Sequence, residues 1–198
     1  MVTTGFSKPY IAKYSNVGTA VTYSDGMKLG RGVELKLDID TADDNNFYAD
    51  NVVAETETSQ FTSGSVTTTI DGLEPAAATL ALGLTETQNV EVGSKQVAFQ
   101  PYGAGMEPPY LGFGCVRRTM MKGKTQYWPF ILPKIRYSLP SEEMATQEDN
   151  IDWQTQDLSA TVLRDDTEAQ NWKYLSAAGM DTEAEAEAAV KAFLNITE

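Results

Sequence analysis

The stretch from Val33 to Leu73 constrains this chain more than any other part of it. Val33, Leu35, Leu37 and Ile39 alternate with Glu34, Lys36, Asp38 and Asp40, the period-two pattern of a strand with one dry and one wet face. An acidic, amide-rich loop follows, then Phe47 and Tyr48, then two further runs rich in Val and Thr. This is a long β-ribbon, and its dry face must be covered by more sheet. Nothing in it is laid out as a catalytic centre. It points to a protein that works by presenting a sheet to something else.

The rest of the chain supplies that sheet. KPYIAKY (8–14) and residues 19–23 read as short strands near a turn at Ser24-Asp25-Gly26. Pro75 opens and Gly83 closes an apolar segment of about two turns, the expected polarity of a helix. Val90 and Val92, then Val97 and Phe99, mark a weak strand pair, followed by the loop PYGAGMEPP. YLGFGCVRRTMM and TQYWPFIL flank Lys122-Gly123-Lys124, the strongest hairpin signal in the chain. Gly112 and Gly114 in its first arm mark a bend or a close backbone approach, and Pro129 and Pro133 make the second arm an edge strand or a bulged one. Residues 134–138 read as a separate short strand and SEEMATQEDN as a loop. IDWQTQDLSATVL is a long strand with Ile151, Trp153 and Thr155 on one face, a register change at Asp157, and a turn at Arg164-Asp165-Asp166. Thr182 and Glu185 form a T-x-x-E capping box before a helix whose apolar stripe is Ala186, Ala189, Val190, Phe193 and Ile196. The expectation is a mainly β chain, one domain over residues 1–198, with two packed antiparallel sheets of sandwich or barrel type. One short internal helix and a C-terminal helix complete it.

Composition closes off several kinds of chemistry. The chain has no histidine, which removes Ser-His and Cys-His catalysis and His-containing zinc sites. Its one cysteine, Cys115, cannot form an internal disulfide and, with Phe113 and Val116 suggesting a strand, reads as a buried structural thiol. The aromatics Tyr110, Phe113, Tyr127, Trp128 and Phe130 read as sheet core. A formal charge of −13 argues against binding the outside of nucleic acid, which requires Lys and Arg. Residues 111–140 hold six bases and no acid, whereas 141–198 hold fourteen acids and three bases. Such blocks can be solvated faces, or can pair one copy with the next. No apolar run has the length of a signal peptide or a membrane span, and intracellular synthesis is the simplest expectation.

Two chemical readings of the acidic residues fail. Asp38, Asp40, Asp43, Asp44, Asn45 and Asn46 lack the alternate-ligand spacing and central glycine of an EF-hand loop, with Ala42 where a ligand belongs. Glu142/Glu143 and Asp165/Asp166 are adjacent acids in polar turns, without the aromatic-lined cleft that glycoside hydrolysis needs. No catalytic set, cofactor or metal is expected.

The combination of FYADNVVAETET, FTSGSVTTTIDGLEP, PPYLGFGCVRR, KGKTQYWPFILPKIRY and NIDWQTQDLSATVL, in that order over about residues 30–165, resembles the major tail proteins of long-tailed bacteriophages of Gram-positive hosts. The resemblance implies a virion structural protein, made in the host cytoplasm, whose copies form hexameric rings stacked into a hollow tube. The tube surrounds a tape-measure protein, and DNA later passes through it without specific binding. Asp40, Asp43, Asp44, Asn45, Asn46, Phe47 and Tyr48 are the candidate ring-to-ring or subunit contacts. Glu34, Asp38, Glu55 and Glu57, on the polar face of the ribbon, are the candidate lumen acids. The alternatives are another particle component (a tail terminator, a distal-tail ring or a decoration protein) and a β-sandwich carbohydrate-binding module or enzyme.

Overall fold

The computed structural model describes residues 2–57, 60–84, 87–141 and 154–197. In chain order the strands are β1 (Val2–Val17), β2 (Ala20–Lys28), β3 (Gly32–Thr41), β4 (Asn45–Ala49), β5 (Val52–Glu57) and β6 (Phe61–Ile70). Helix α1 (Pro75–Leu82) precedes β7 (Gln88–Val92), β8 (Lys95–Phe99), β9 (Leu111–Met121), β10 (Lys124–Tyr137), β11 (Gln156–Leu163) and β12 (Tyr174–Leu175). Helix α2 (Glu183–Phe193) comes last. The chain is mainly β and antiparallel, with one short internal helix and a C-terminal helix, as its sequence leads one to expect.

The main ladder runs β2-β1-β9-β10-β11-β6-β3, with β12 beside β10. Though continuous, it packs on itself as two layers. The larger core joins Ile11, Leu111, Phe113, Cys115, Leu132 and Ile135 from β1, β9 and β10 to Val66, Ile70, Leu158, Ala160 and Val162 from β6 and β11. The fold-over occurs within β10. Lys124 to Leu132 pair with β9, the last four residues pair with β11, and the register slips between Leu132 and Ile135, which touches both neighbours. Pro133 sits in that bulge, where a missing N–H costs no ladder bond. Of the two expectations for this arm, an edge strand or a bulged one, the bulged one holds: β10 is central, and residues 134–137 are its continuation rather than a separate strand. On the partner strand, Gln156 to Val162 pair with β6 without a slip at Asp157. Ile151, Trp153 and most of the SEEMATQEDN loop lie outside the described residues.

Two other boundaries differ from the sequence reading. The β1–β2 turn is at Gly18-Thr19, and Ser24-Asp25-Gly26 is an irregularity inside β2 that answers a slip between Ile11 and Lys13. On β3, Leu35, Leu37 and Ile39 are half-buried as their alternation requires, but Val33 is 56% exposed. A register slip between Gly32 and Glu34 turns it out of the dry face.

The helices cover what the sheets leave open. In α1, Ala77, Ala78, Ala81 and Leu82 are buried against the larger core, and the left-handed Gly83 ends the helix. Helix α2 covers the other face of β1 and β9, where Tyr10, Ala12, Tyr14 and Val116 meet Ala186, Val190 and Leu194. The expected capping box is present, with Thr182 and Glu185 each bonded to the other's backbone N–H. Phe193 is largely outside the seam at 38% exposure, and Leu194 takes its place. Gly112 and Gly114 sit under the helix, so the close-approach reading holds. A Cβ on Gly112 would lie 2.5 Å from Tyr23 Cε1 and 2.8 Å from Leu194 Cδ2. Cys115 is fully buried, and burial pushes its thiol pKa well up, as a structural thiol should behave.

Candidate assembly surfaces

The ribbon from Val33 to Leu73 is a two-part arm. Its base is β3 paired with β6 in the main sheet; beyond Thr41, β4 and β5 form a separate two-stranded hairpin. Asp50 and Asn51 both take positive φ (52° and 65°) at its tip, the geometry of a type I′ turn that short polar residues tolerate. The outgoing link between the two parts is residues 42–44, so Asn45 and Asn46 belong to a strand rather than to the expected loop.

The predicted contact residues divide between these parts. Asp40 belongs to the base, where its carboxylate accepts a hydrogen bond from Ser63 Oγ at 3.1 Å and its carbonyl one from Thr62 Oγ1 at 2.9 Å. Asp43 and Asp44 lie in the exposed link. On the hairpin, Asn45 pairs with Glu57, Asn46 Oδ1 accepts from Thr56 Oγ1 at 2.7 Å, and Phe47 and Tyr48 are 64% and 62% exposed. Val52 and Val53 on β5 are exposed too. A lone two-stranded hairpin is marginal in water, and this one shows large apolar side chains to solvent.

The β7–β8 hairpin repeats the pattern. Every residue in it is exposed, and its register puts Val90, Val92, Val97 and Phe99 on one face. The alternation was legible in sequence; that no core lies beneath it was not. A third exposed apolar set was missed altogether: Val2, Met120 and Met121 at the tip of β9–β10. The signal for it is two methionines directly before the Lys122-Gly123 turn.

The predicted lumen acids are only partly brought together. Glu34 and Asp38 share the outer face of β3 with Lys36 and Asp40. That face continues across the ladder through Ser65, Thr67 and Thr69 of β6 to Asp157, Ser159 and Thr161 of β11. Thr69 Oγ1 donates to Asp157 Oδ1 at 2.6 Å, and Lys36 Nζ lies 2.8 Å from Asp38 Oδ2. The result is a hydroxyl and carboxylate surface with one lysine on β3. Glu55 stands apart on the arm opposite Phe47, and the side chain of Glu57 is outside the described residues.

The basic and acidic blocks meet partly within the chain. Lys134 Nζ reaches Asp166 Oδ2 at 2.6 Å and lies over the Tyr14 and Tyr110 rings, while Lys124 Nζ reaches Asp181 Oδ1 at 2.7 Å. Of the five aromatics read as sheet core, Phe113 and Phe130 are buried and Tyr127 and Trp128 half-buried, but Tyr110 is 41% exposed. Asp165 is nearly buried beside a cavity of about 400 Å³ lined by Tyr23, Tyr174 and Phe193. It accepts from Thr167, Asn171 and Tyr174, so its oxygens organise the turn that follows β11.

Two carboxylates tie the layers to α2 and to that turn. Hydrogen bonds from Lys134 and Tyr14 hold the Asp166 carboxyl below the usual carboxylate range. Partial burial would raise the Glu187 carboxyl, but hydrogen bonds from Tyr10 and Lys8, with the Lys8 and Lys191 charges, outweigh it and lower it. Burial and the bond to Glu187 in turn push Tyr10 up to about 12. A depressed carboxylate adds stability above its unfolded pKa, and that stability is lost as pH falls through the folded value. Urea unfolding should therefore show stability falling as the pH drops through and below the ordinary carboxylate range. The slope should be shallower in Asp166→Asn and Glu187→Gln, and equal slopes would show that neither carboxylate carries the effect.

No protein-family model matches the chain, and no curated protein matches it. Among the described residues no helix is long and apolar enough to cross a membrane.

Proposed function

We propose that this chain is the major tail-tube subunit of a long-tailed phage or phage-like particle, whose copies form hexameric rings stacked into a hollow tube around a tape-measure protein. One observation carries the reading: two β-hairpins stand apart from the main sheet with aromatic and β-branched residues exposed. A chain that acted alone would present these as aggregation sites. A chain that assembles buries them against its neighbours. The main sheet also ends in long strands, β2 and β3, whose outer edges carry no strand partner among the described residues. Joining such edges between copies in a closed ring removes them.

The hydroxyl and carboxylate face of β3, β6 and β11 suits a lumen wall. Glu34, Asp38, Asp40 and Asp157 repel phosphate, the threonines and serines offer only weak contacts, and DNA slides instead of sticking. The resemblance in sequence order over residues 30–165 supports the same reading from a separate direction.

Negative-stain microscopy of the purified chain over a range of concentrations is the test. Long hollow tubes of uniform width are expected. Single rings that never stack would favour a terminator or distal-ring component, and a strict monomer at every concentration would overturn assembly altogether.

A further inference from the structure

We propose that the acidic arm of one copy seats on the basic tip of the β9–β10 hairpin of a second copy, and that this is the contact that stacks one ring on the next. The inference rests on the tube reading and adds to it both partners of the stacking contact.

Residues 43–57 hold five carboxylates and no base, whereas residues 117–124 hold four bases and no acid, of which Lys124 is already paired with Asp181. Each surface also carries exposed apolar side chains, Phe47 and Tyr48 on the arm, Val2 and Met120 on the tip. Val2 pairs directly with Met120, and Arg118, two residues earlier on β9, lies on the same face. Charge and apolar surface are thus matched on both sides, the combination that orients an encounter and then holds it.

The two surfaces cannot meet within one copy. The sheet folds over so that Phe6, which pairs with Arg117, lies at the start of β3; a Cβ on Gly32 would be 2.4 Å from Phe6 Cζ. The arm leaves from the other end of β3, about nine residues away, or roughly 30 Å at about 3.3 Å per residue. The basic tip continues past Arg117, and the acidic arm starts at the far end of the layer beneath. Unlike patches at opposite ends of a subunit make a heterologous contact, which repeats without limit along an axis. Asp166 and Asp181 compete poorly for this role, because they already close on Lys134 and Lys124 of their own chain.

Charge reversal of the intact chain tests the pairing. One variant carries Asp43→Lys and Glu55→Lys; the other carries Arg118→Glu and Lys122→Asp, aspartate being chosen because Lys122 has φ 50°. Each is expected to keep the wild-type melting temperature and to lose tubes in microscopy and light scattering. An equimolar mixture should regain tubes containing both chains, and so should one chain carrying all four changes. Wild-type-like tubes from either variant alone, or no tubes from the mixture and the fourfold variant, would overturn the contact. If the unaltered protein makes no tubes, the tube reading falls and takes this contact with it. If it does while the mixture stays dispersed, only the contact falls.

Discussion

Replacing residues 43–59 with Asn-Gly should give a subunit that folds as well as the unaltered chain and builds no tubes. The ladder makes the excision clean. Thr41 pairs with Phe61, and Ala42 N–H donates to the Gln60 carbonyl at 2.9 Å, so residues 42 and 60 already stand opposite each other. Asn-Gly is the favoured two-residue closure for such a pair. No described residue of the arm beyond Thr41 is buried, and surface changes of this kind stay within about 0.5 kcal/mol. Shortening the excursion also lowers the entropy cost of closing it.

Assembly should respond very differently. If Phe47 and Tyr48 are buried in the contact, each contributes about 1.5–3 kcal/mol. Losing both costs at least about 3 kcal/mol per contact, a change of more than about a hundredfold in affinity, repeated at every subunit of a ring. Circular dichroism and thermal melting should match the unaltered protein, while microscopy shows no elongated assemblies. Normal tubes from the excised chain would move the stacking contact elsewhere, with β7–β8 the next surface to examine.

Why the arm was legible as an acidic excursion but not as a projecting hairpin follows from what a sequence records. Acids and amides in residues 43–46 announce exposure directly, because each costs free energy to bury. Exposure of an apolar residue leaves no such mark. Val90 and Val97 alternate as Leu158 and Ala160 do, yet the first pair faces solvent and the second lies in the core. Only the tertiary placement of the hairpin separates them. The helices were readable because their ends carry local chemistry: Pro75 and Gly83 for α1, Thr182 and Glu185 for α2. Strand limits failed where a bulge intervened. Val33 alternates correctly and is turned outward by a slip beside Gly32, and β10 passes through Pro133 because the bulge there needs no N–H. The two-layer fold follows from that slip, which no periodicity encodes.

Gly114→Val should be the most damaging single substitution on the α2 side of the sheet. Gly112 and Gly114 look in sequence like weak points of a strand, and their neighbours in space are residues from the far end of the chain. A Cβ on Gly114 would lie 2.6 Å from Val190 Cγ1, 2.8 Å from Ile131 Cδ1 and 3.1 Å from Leu194 Cδ1. These groups are already buried, Val190 and Leu194 completely, so there is no space into which they can retreat. Overpacking alone costs about 1–3 kcal/mol. Valine adds two methyl groups beyond the Cβ, and relief requires the helix to lift from the sheet. That forfeits the burial of Val190 and Leu194, about 1.5–3 kcal/mol each, and loosens the contacts of Glu187 with Tyr10 and Lys8 that depend on a docked helix. The expected cost is about 3–6 kcal/mol, a large part of a typical domain's whole stability. Urea denaturation should show a midpoint far below that of the unaltered chain. Gly114→Ala should fall between the two, and pairing it with Val190→Ala should recover part of the loss by opening room for the new methyl. If Gly114→Val unfolds at the same urea concentration as the unaltered protein, α2 is not packed on β9 as closely as these glycines indicate.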